Sequence, residues 1–354
     1  MGALIPVRDD LGLFEGYHSP QVAVDVRLNT NESPYPPPPG WREALHAALD
    51  DVQFHRYPDR AFTALRTGLA AQHGVRPDQV FVANGSNEVL QTLLLTYGGP
   101  ARTAAVFEPT YALHSHIATV TGTTVATGER NHDFTLDLDI VKRLLTEAQP
   151  ALTFLCSPNN PTGRVEPPEV VRHVLDLAPG MVVVDEAYGQ FSRWSALELV
   201  ADDVPLVVVR TFSKTWSMAA SRLGYCVAPA SVVAALEQVV LPYHLDALKQ
   251  VSGTLALRFE SEMKARVALI NEQRGRIAAA FHDLPVDTWP SDANFLLFRP
   301  RDRDGNEVWQ ALLDRSVLVR NCTSWPRLAG CLRVTVGTPE ENDRFIAALT
   351  EVLA

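Results

Sequence analysis

From about Val80 to Val240 short apolar runs alternate with amphipathic stretches, and this alternation constrains the fold of the chain more than any other feature. An apolar run of three to five residues suits a buried strand, and the segments between are long enough for covering helices. The pattern therefore predicts a mainly parallel sheet with helices packed on it. Candidate strands are Val80 to Val82, Ala104 to Phe107, Leu152 to Cys156, Met181 to Val184, Leu206 to Val209 and Gly224 to Val227. Leu241-Pro-Tyr-His244 reads as a break, after which Ala247 to Leu284 reads as one long helix. A smaller α+β region follows, with strands at Asn294 to Phe298 and Cys331 to Val336. Its last helix opens on Thr338-Pro-Glu-Glu341, which puts Thr at the N-cap, Pro at N1 and Glu at N3 of a capping box. A chain of 354 residues exceeds what one core usually holds, so two domains are expected.

Of the 31 basic residues only four are lysines, and one of these, Lys214, stands in Arg210-Thr-Phe-Ser-Lys214 just past an apolar run. Arginine cannot deprotonate, whereas a desolvated lysine can lose its proton and bond covalently to a carbonyl, which makes Lys214 the candidate catalytic amine. Met181-Val-Val-Val-Asp185-Glu-Ala-Tyr188 ends a strand pattern in an acid, with a phenol three residues on. An aldehyde cofactor of the pyridoxal phosphate type needs both groups, a carboxylate at its pyridine nitrogen and a phenol beside its ring hydroxyl. Alone, Asp185 reads as well as a helix N-cap; its spacing from Lys214 favours the cofactor. Asn84-Gly-Ser-Asn87 lies between a strand and the helical stretch Glu88 to Tyr97, so backbone amides and the Ser86 hydroxyl can form an anion site. Ser213 and Arg222 add a hydroxyl and a guanidinium fork suited to the same phosphate.

A formal charge of −10 argues against nucleic acid or an anionic membrane as the main partner, so basic residues must act locally on anionic substrates. No apolar stretch approaches the roughly 20 residues that span a bilayer, and a cytoplasmic location is expected. Cys156, Cys226, Cys322 and Cys331 form no C-x-x-C pair and fit reduced thiols better than disulfides or a metal site. Pro36 to Pro39 reads as a stiff connector.

Together with Leu28-Asn-Thr-Asn-Glu-Ser-Pro-Tyr35, Arg56-Tyr-Pro-Asp59, Ser157-Pro-Asn-Asn-Pro-Thr-Gly163 and Leu332-Arg-Val-Thr-Val-Gly-Thr-Pro-Glu-Glu-Asn342, these segments resemble the fold-type I pyridoxal-phosphate aminotransferases, and within them the branch acting on histidinol phosphate. The motifs span almost the whole chain in the family's order. The resemblance implies an α/β fold: a large domain with a mainly parallel seven-stranded sheet covered by helices, plus a smaller α+β domain. The corresponding division is an N-terminal arm and part of the small domain at 1–45, the cofactor-binding domain at 46–245, and an interdomain helix with the small domain at 246–354.

The same resemblance implies ping-pong transamination of L-histidinol phosphate with 2-oxoglutarate, giving imidazole acetol phosphate and glutamate in histidine biosynthesis. Lys214 would hold pyridoxal 5′-phosphate and move the substrate proton, and Asp185 would pair with the pyridine nitrogen. Tyr188 and Asn160 would bond the ring oxygen, and Tyr111 would lie against the ring. Ser86, Asn87, Ser213 and Arg222 would hold the cofactor phosphate, with Tyr57 reaching it from the other subunit of a homodimer. Tyr17, Arg320 and Arg333 would bind substrate, the two arginines gripping its phosphate.

Two departures touch specificity: Ser221 stands where the family usually has leucine, and Asn321-Cys-Thr-Ser-Trp325 occupies a variable stretch near the substrate. An aromatic amino-acid aminotransferase on the same scaffold, a decarboxylase of a phosphorylated amino acid, and a non-catalytic cofactor-binding regulatory domain are the alternatives.

Overall fold

The structure, a computed structural model, describes residues 21–354 together with Ile5, Arg8 and Leu11; Tyr17 lies outside the described residues. The strands in chain order are β1 (Val26–Leu28), β2 (Val80–Ala83), β3 (Thr103–Glu108), β4 (Thr124–Glu129), β5 (Leu152–Cys156), β6 (Met181–Asp185), β7 (Leu206–Thr211), β8 (Gly224–Val227), β9 (Val286–Thr288), β10 (Phe295–Pro300), β11 (Val317–Asn321) and β12 (Leu332–Thr335). A seven-stranded sheet runs β2-β8-β7-β6-β5-β3-β4, and a five-stranded sheet runs β1-β11-β12-β10-β9.

In the large sheet β4, β3, β5, β6 and β7 are parallel neighbours, and β8 alone runs antiparallel, between β7 and β2. Its central strands are buried at every residue because both faces are covered. Alternate side chains serve opposite layers: Val183, Val207 and Val209 pack on one side, and Val182, Val184 and Val208 on the other.

All six strands expected here form. The seventh, β4, is an edge strand of Thr-Val-Ala-Thr-Gly-Glu with mostly accessible side chains, so it carries no apolar run. It pairs with β3 along six residues all the same.

In the small sheet β10 and β12 match the expected strands, and β1, β9 and β11 complete it. β1 comes from the start of the described chain and pairs in parallel with β11, which ties the Leu28 to Tyr35 segment to this sheet. The single long helix expected over Ala247 to Leu284 is instead two helices, Ala247–Ala256 and Glu260–His282, joined by the 3-10 turn Leu257–Phe259. That turn packs Leu257 and Phe259 against the cluster holding Trp41 and Met263. The capping box at Thr338 forms as expected, with Thr338 Oγ1 accepting from the Glu341 amide and Glu341 Oε2 from the Thr338 amide.

Candidate active site

The pairing pattern points the carboxyl ends of β2, β3, β5, β6 and β7 to one rim of the large sheet, where ligands of open α/β sheets bind. The loops leaving that rim, closed over by the Thr30 to Glu32 segment and by Arg333, enclose a cavity of about 380 Å3. Ser86, Asn87, Tyr111, Asn160, Asp185, Tyr188, Ser213, Lys214, Arg222 and Arg333 all line it.

Lys214 lies three residues past β7, and its Nζ donates to the Thr30 carbonyl at 3.1 Å and sits 5.7 Å from the Tyr188 ring centroid. Burial pushes its pKa down to about 7, helped by the Arg333 and Arg222 charges and opposed by Glu32. The amine is thus partly freed of its proton near neutrality, as a nucleophile or base requires.

Asp185, the last residue of β6, is 1% exposed. A buried carboxylate needs partners: Oδ1 accepts from the Ala187 amide at 3.0 Å and Oδ2 from His114 Nε2 at 3.0 Å. His114 was not anticipated. It comes from the helix Leu113–Val120 and stacks on Phe154, and its Nδ1 is buried without a partner. The Tyr188 hydroxyl accepts from Asn31 Nδ2 at 3.0 Å, and burial raises its pKa.

Asn160 and Tyr111 are held by Asn159, which is fully buried and ties the β5 loop to the β3 loop. Its Nδ2 donates to the Pro109 carbonyl and its Oδ1 accepts from Thr110 Oγ1. The Tyr111 hydroxyl donates to Asn87 Oδ1 at 3.2 Å.

The anion site forms where Gly85 turns the chain, at φ 84°, into the helix Ser86–Tyr97. Arg222 approaches so closely that a Cβ on Gly85 would lie 2.9 Å from its Nη2, and a Cβ on Gly224 of β8 would collide with the backbone of Gly85 and Ser86. Thr211 Oγ1 and Arg222 Nη1 both contact Ser213 Oγ, at 3.0 and 3.4 Å. Helix amides, two hydroxyls and a guanidinium thus converge.

Arg333 reaches the cavity from β12. Nη1 donates to Asn160 Oδ1 and Nη2 to the Asn29 carbonyl at 2.9 Å, while Nε is buried with no partner. Arg320 is its direct partner in the β11–β12 ladder, so both project on one face. Arg320 is not itself part of the cavity wall; it is buried with its guanidinium 5.2 Å over the Trp325 ring. Tyr57 is 80% exposed, stacked on Tyr243 at 4.5 Å, and does not line its own chain's cavity.

The donor set fits pyridoxal phosphate. A partly deprotonated lysine, a buried aspartate, a tyrosine in reach and the Ser86, Ser213 and Arg222 cluster, with room for an anion beside Gly85, surround one enclosure.

A family model for aminotransferase class I and II matches residues 23–349. A histidinol-phosphate aminotransferase of Frankia casuarinae is 45% identical over 99% of this chain and 90% of that relative. One of Corynebacterium diphtheriae is 42% identical over 98% of this chain and 96% of its own length. The crystal structure of histidinol-phosphate aminotransferase from Sinorhizobium meliloti in complex with pyridoxal-5′-phosphate superposes with a TM-score of 0.86 at 23% identity, over 93% of this chain and 91% of that one.

Proposed function

The chain belongs to the class I and II aminotransferases, and from that premise we propose that it transfers the amino group of L-histidinol phosphate to 2-oxoglutarate, using pyridoxal 5′-phosphate, in cytoplasmic histidine biosynthesis. Bound in the cavity, the cofactor supplies an electron-accepting ring and a carbonyl that carries nitrogen between the two substrates. Lys214 Nζ anchors it and, when released, moves the proton from the substrate Cα. Asp185, oriented by His114 and the Ala187 amide, would pair with the pyridine nitrogen and favour the ring's electron-accepting form. Asn160 and Tyr188 direct polar groups to the ring oxygen, and Ser86, Asn87, Ser213 and Arg222 hold the cofactor phosphate. In the homodimer we propose, Tyr57 of each chain completes the other's phosphate site.

The observation that carries the choice of substrate is Arg333 Nε, a buried donor without a partner, on a residue whose direct neighbour in the strand ladder is Arg320. Histidinol phosphate has no carboxylate on its reacting carbon, so its phosphate dianion must supply the anchor, and adjacent guanidiniums suit a dianion. Arg333 then serves the carboxylate of glutamate in the second half-reaction.

Rapid-mixing measurement of the first half-reaction tests this. Wild type should convert histidinol phosphate far faster than phenylalanine. Arg320→Ala should weaken histidinol phosphate by roughly 2 to 4 kcal/mol, the order for losing a charge-assisted contact in a closed site, with a much smaller loss for phenylalanine. Equal losses, or a wild-type preference for phenylalanine, would assign the enzyme to aromatic amino acids.

A further inference from the structure

Given the proposed substrate, phosphate and amine are accounted for by the arginines and Lys214, and the imidazole is left. Neutral imidazole presents one N–H donor and imidazolium presents two, with a solution pKa near 6.5, so its site needs an acceptor. Most acceptors in the cavity wall are engaged. Asp185 accepts from His114 and Ala187, Asn160 Oδ1 from Arg333, Asn87 Oδ1 from Tyr111, and the Thr30 carbonyl from Lys214. Ser213 Oγ accepts from Thr211 Oγ1 and Arg222 Nη1, and it sits with Ser86 in the proposed phosphate cradle.

Glu32 is different. It is the second carboxylate of the cavity wall, and its side chain is 43% exposed. Oε2 is fixed by Thr30 Oγ1 at 2.8 Å and Arg27 Nη2 at 3.2 Å. Oε1 has no partner among the described residues.

The backbone that presents Glu32 is held firmly. Asn31, just before it, takes a left-handed conformation at φ 56°, which asparagine tolerates, and every polar part of it is bonded. Its amide donates to Thr335 Oγ1, its Oδ1 accepts from the same hydroxyl, its Nδ2 donates to Tyr188 Oη, and its carbonyl accepts from Asn294 Nδ2. One segment therefore supplies the Lys214 partner Thr30, the Tyr188 partner Asn31 and the pre-oriented carboxylate of Glu32.

We infer that Glu32 is the specificity residue that reads the substrate's heteroaromatic ring, Oε1 accepting a hydrogen bond from the imidazole N–H. A carboxylate there favours the imidazolium form, and it has nothing to bind on a phenyl ring. It thus separates histidinol phosphate from aromatic competitors of similar size, as sites built to hydrogen-bond a polar substrate group do.

This rests on the histidinol phosphate reading, and the test keeps the two apart. Holoenzyme is titrated calorimetrically with 3-(imidazol-4-yl)propyl phosphate and with 3-phenylpropyl phosphate, which lack the amine and cannot react. Wild type should prefer the imidazole ligand, and Glu32→Gln should reduce that preference by about tenfold or more, the scale of one charge-assisted hydrogen bond. Glu32→Ala should do the same, and kcat/KM for histidinol phosphate should fall in parallel. An unchanged preference in both variants, in an enzyme that turns over histidinol phosphate, overturns the role of Glu32 alone. A wild type inert toward histidinol phosphate overturns the substrate reading and this inference with it.

Discussion

At Lys214 the fold weakens the hold on the proton that keeps an exposed lysine inert. Its pKa lies at about 7 against 10.5 for a free side chain, so the neutral amine predominates above roughly pH 7 in the folded apoprotein, while the unfolded chain holds that proton until near 10.5. Reductive 13C-methylation labels the four lysines and the N-terminal amine, which itself titrates at about 8; a further resonance should titrate near pH 7 in the folded apoprotein and be absent from Lys214→Ala. That variant should also lose transamination while keeping its circular dichroism; persistence in Lys214→Ala of every resonance that titrates near neutrality would overturn the assignment. Asp185 works by charge. Asparagine keeps its shape and an oxygen for His114, so Asp185→Asn should retain cofactor, followed by absorbance titration, yet slow the half-reaction by about 10²-fold or more. A rate within a few-fold of wild type would reduce Asp185 to a structural cap. Both residues are legible in the sequence because their chemistry is rare or placed at strand ends. His114 is not: within Leu113-His-Ser-His116 nothing separates it from His116, and only the three-dimensional approach to β6 gives it a role. Arg320 shows the same limit, since its contact with Trp325 depends on how the Asn321 to Trp325 turn closes.

Among elements, the strands that can be read from the sequence are those whose burial is unbroken, β5, β6 and β7 above all, because a parallel strand covered on both faces reads as a near-continuous apolar run, interrupted here by Thr153 and, at the carboxyl ends, by Asp185, Arg210 and Thr211. Edge and short strands escape that reading. β4 is specified by pairing with β3 rather than by its own side chains, and β1 and β9 have only three residues each. The junction of β8 with the helix Ser86–Tyr97 is likewise invisible in sequence, although it shapes the proposed phosphate cradle. Gly224 lies so close to the backbone of Gly85 and Ser86 that a methyl group has no room, and those atoms are backbone that cannot rotate away. Gly224→Ala should therefore displace the helix N-terminus and weaken the cofactor by about tenfold or more, measured as the Kd from fluorescence quenching, since amide donors must be held in place to grip an anion. Unchanged affinity would show that the cradle does not hold the phosphate.

At the scale of the whole molecule, several of the most exposed large apolar side chains lie on two segments that one aromatic contact joins. Phe54 is 73% exposed, Tyr57 80% and Leu241 76%, and the stacking of Tyr57 on Tyr243 joins the two segments that carry them. Patches of this kind mark association surfaces, and a closed homodimer covers such a surface on both copies by the same contact. Leu241→Asp should therefore shift the sedimentation velocity from dimer toward monomer and depress activity with it. Whether Tyr57 acts across the interface can be settled by mixing two defective chains. Lys214→Ala lacks the catalytic amine but keeps Tyr57; Tyr57→Ala keeps the amine but offers its partner no phenol. In a heterodimer one site carries both lesions and the other carries neither, because its Lys214 comes from one chain and its Tyr57 from the other. Random reassociation of equal amounts makes about half the dimers mixed, each with one intact site of two, so activity should recover to about a quarter of wild type. If Tyr57 acted within its own chain, no site in the mixture would have both residues, and activity would stay at half the Tyr57→Ala level.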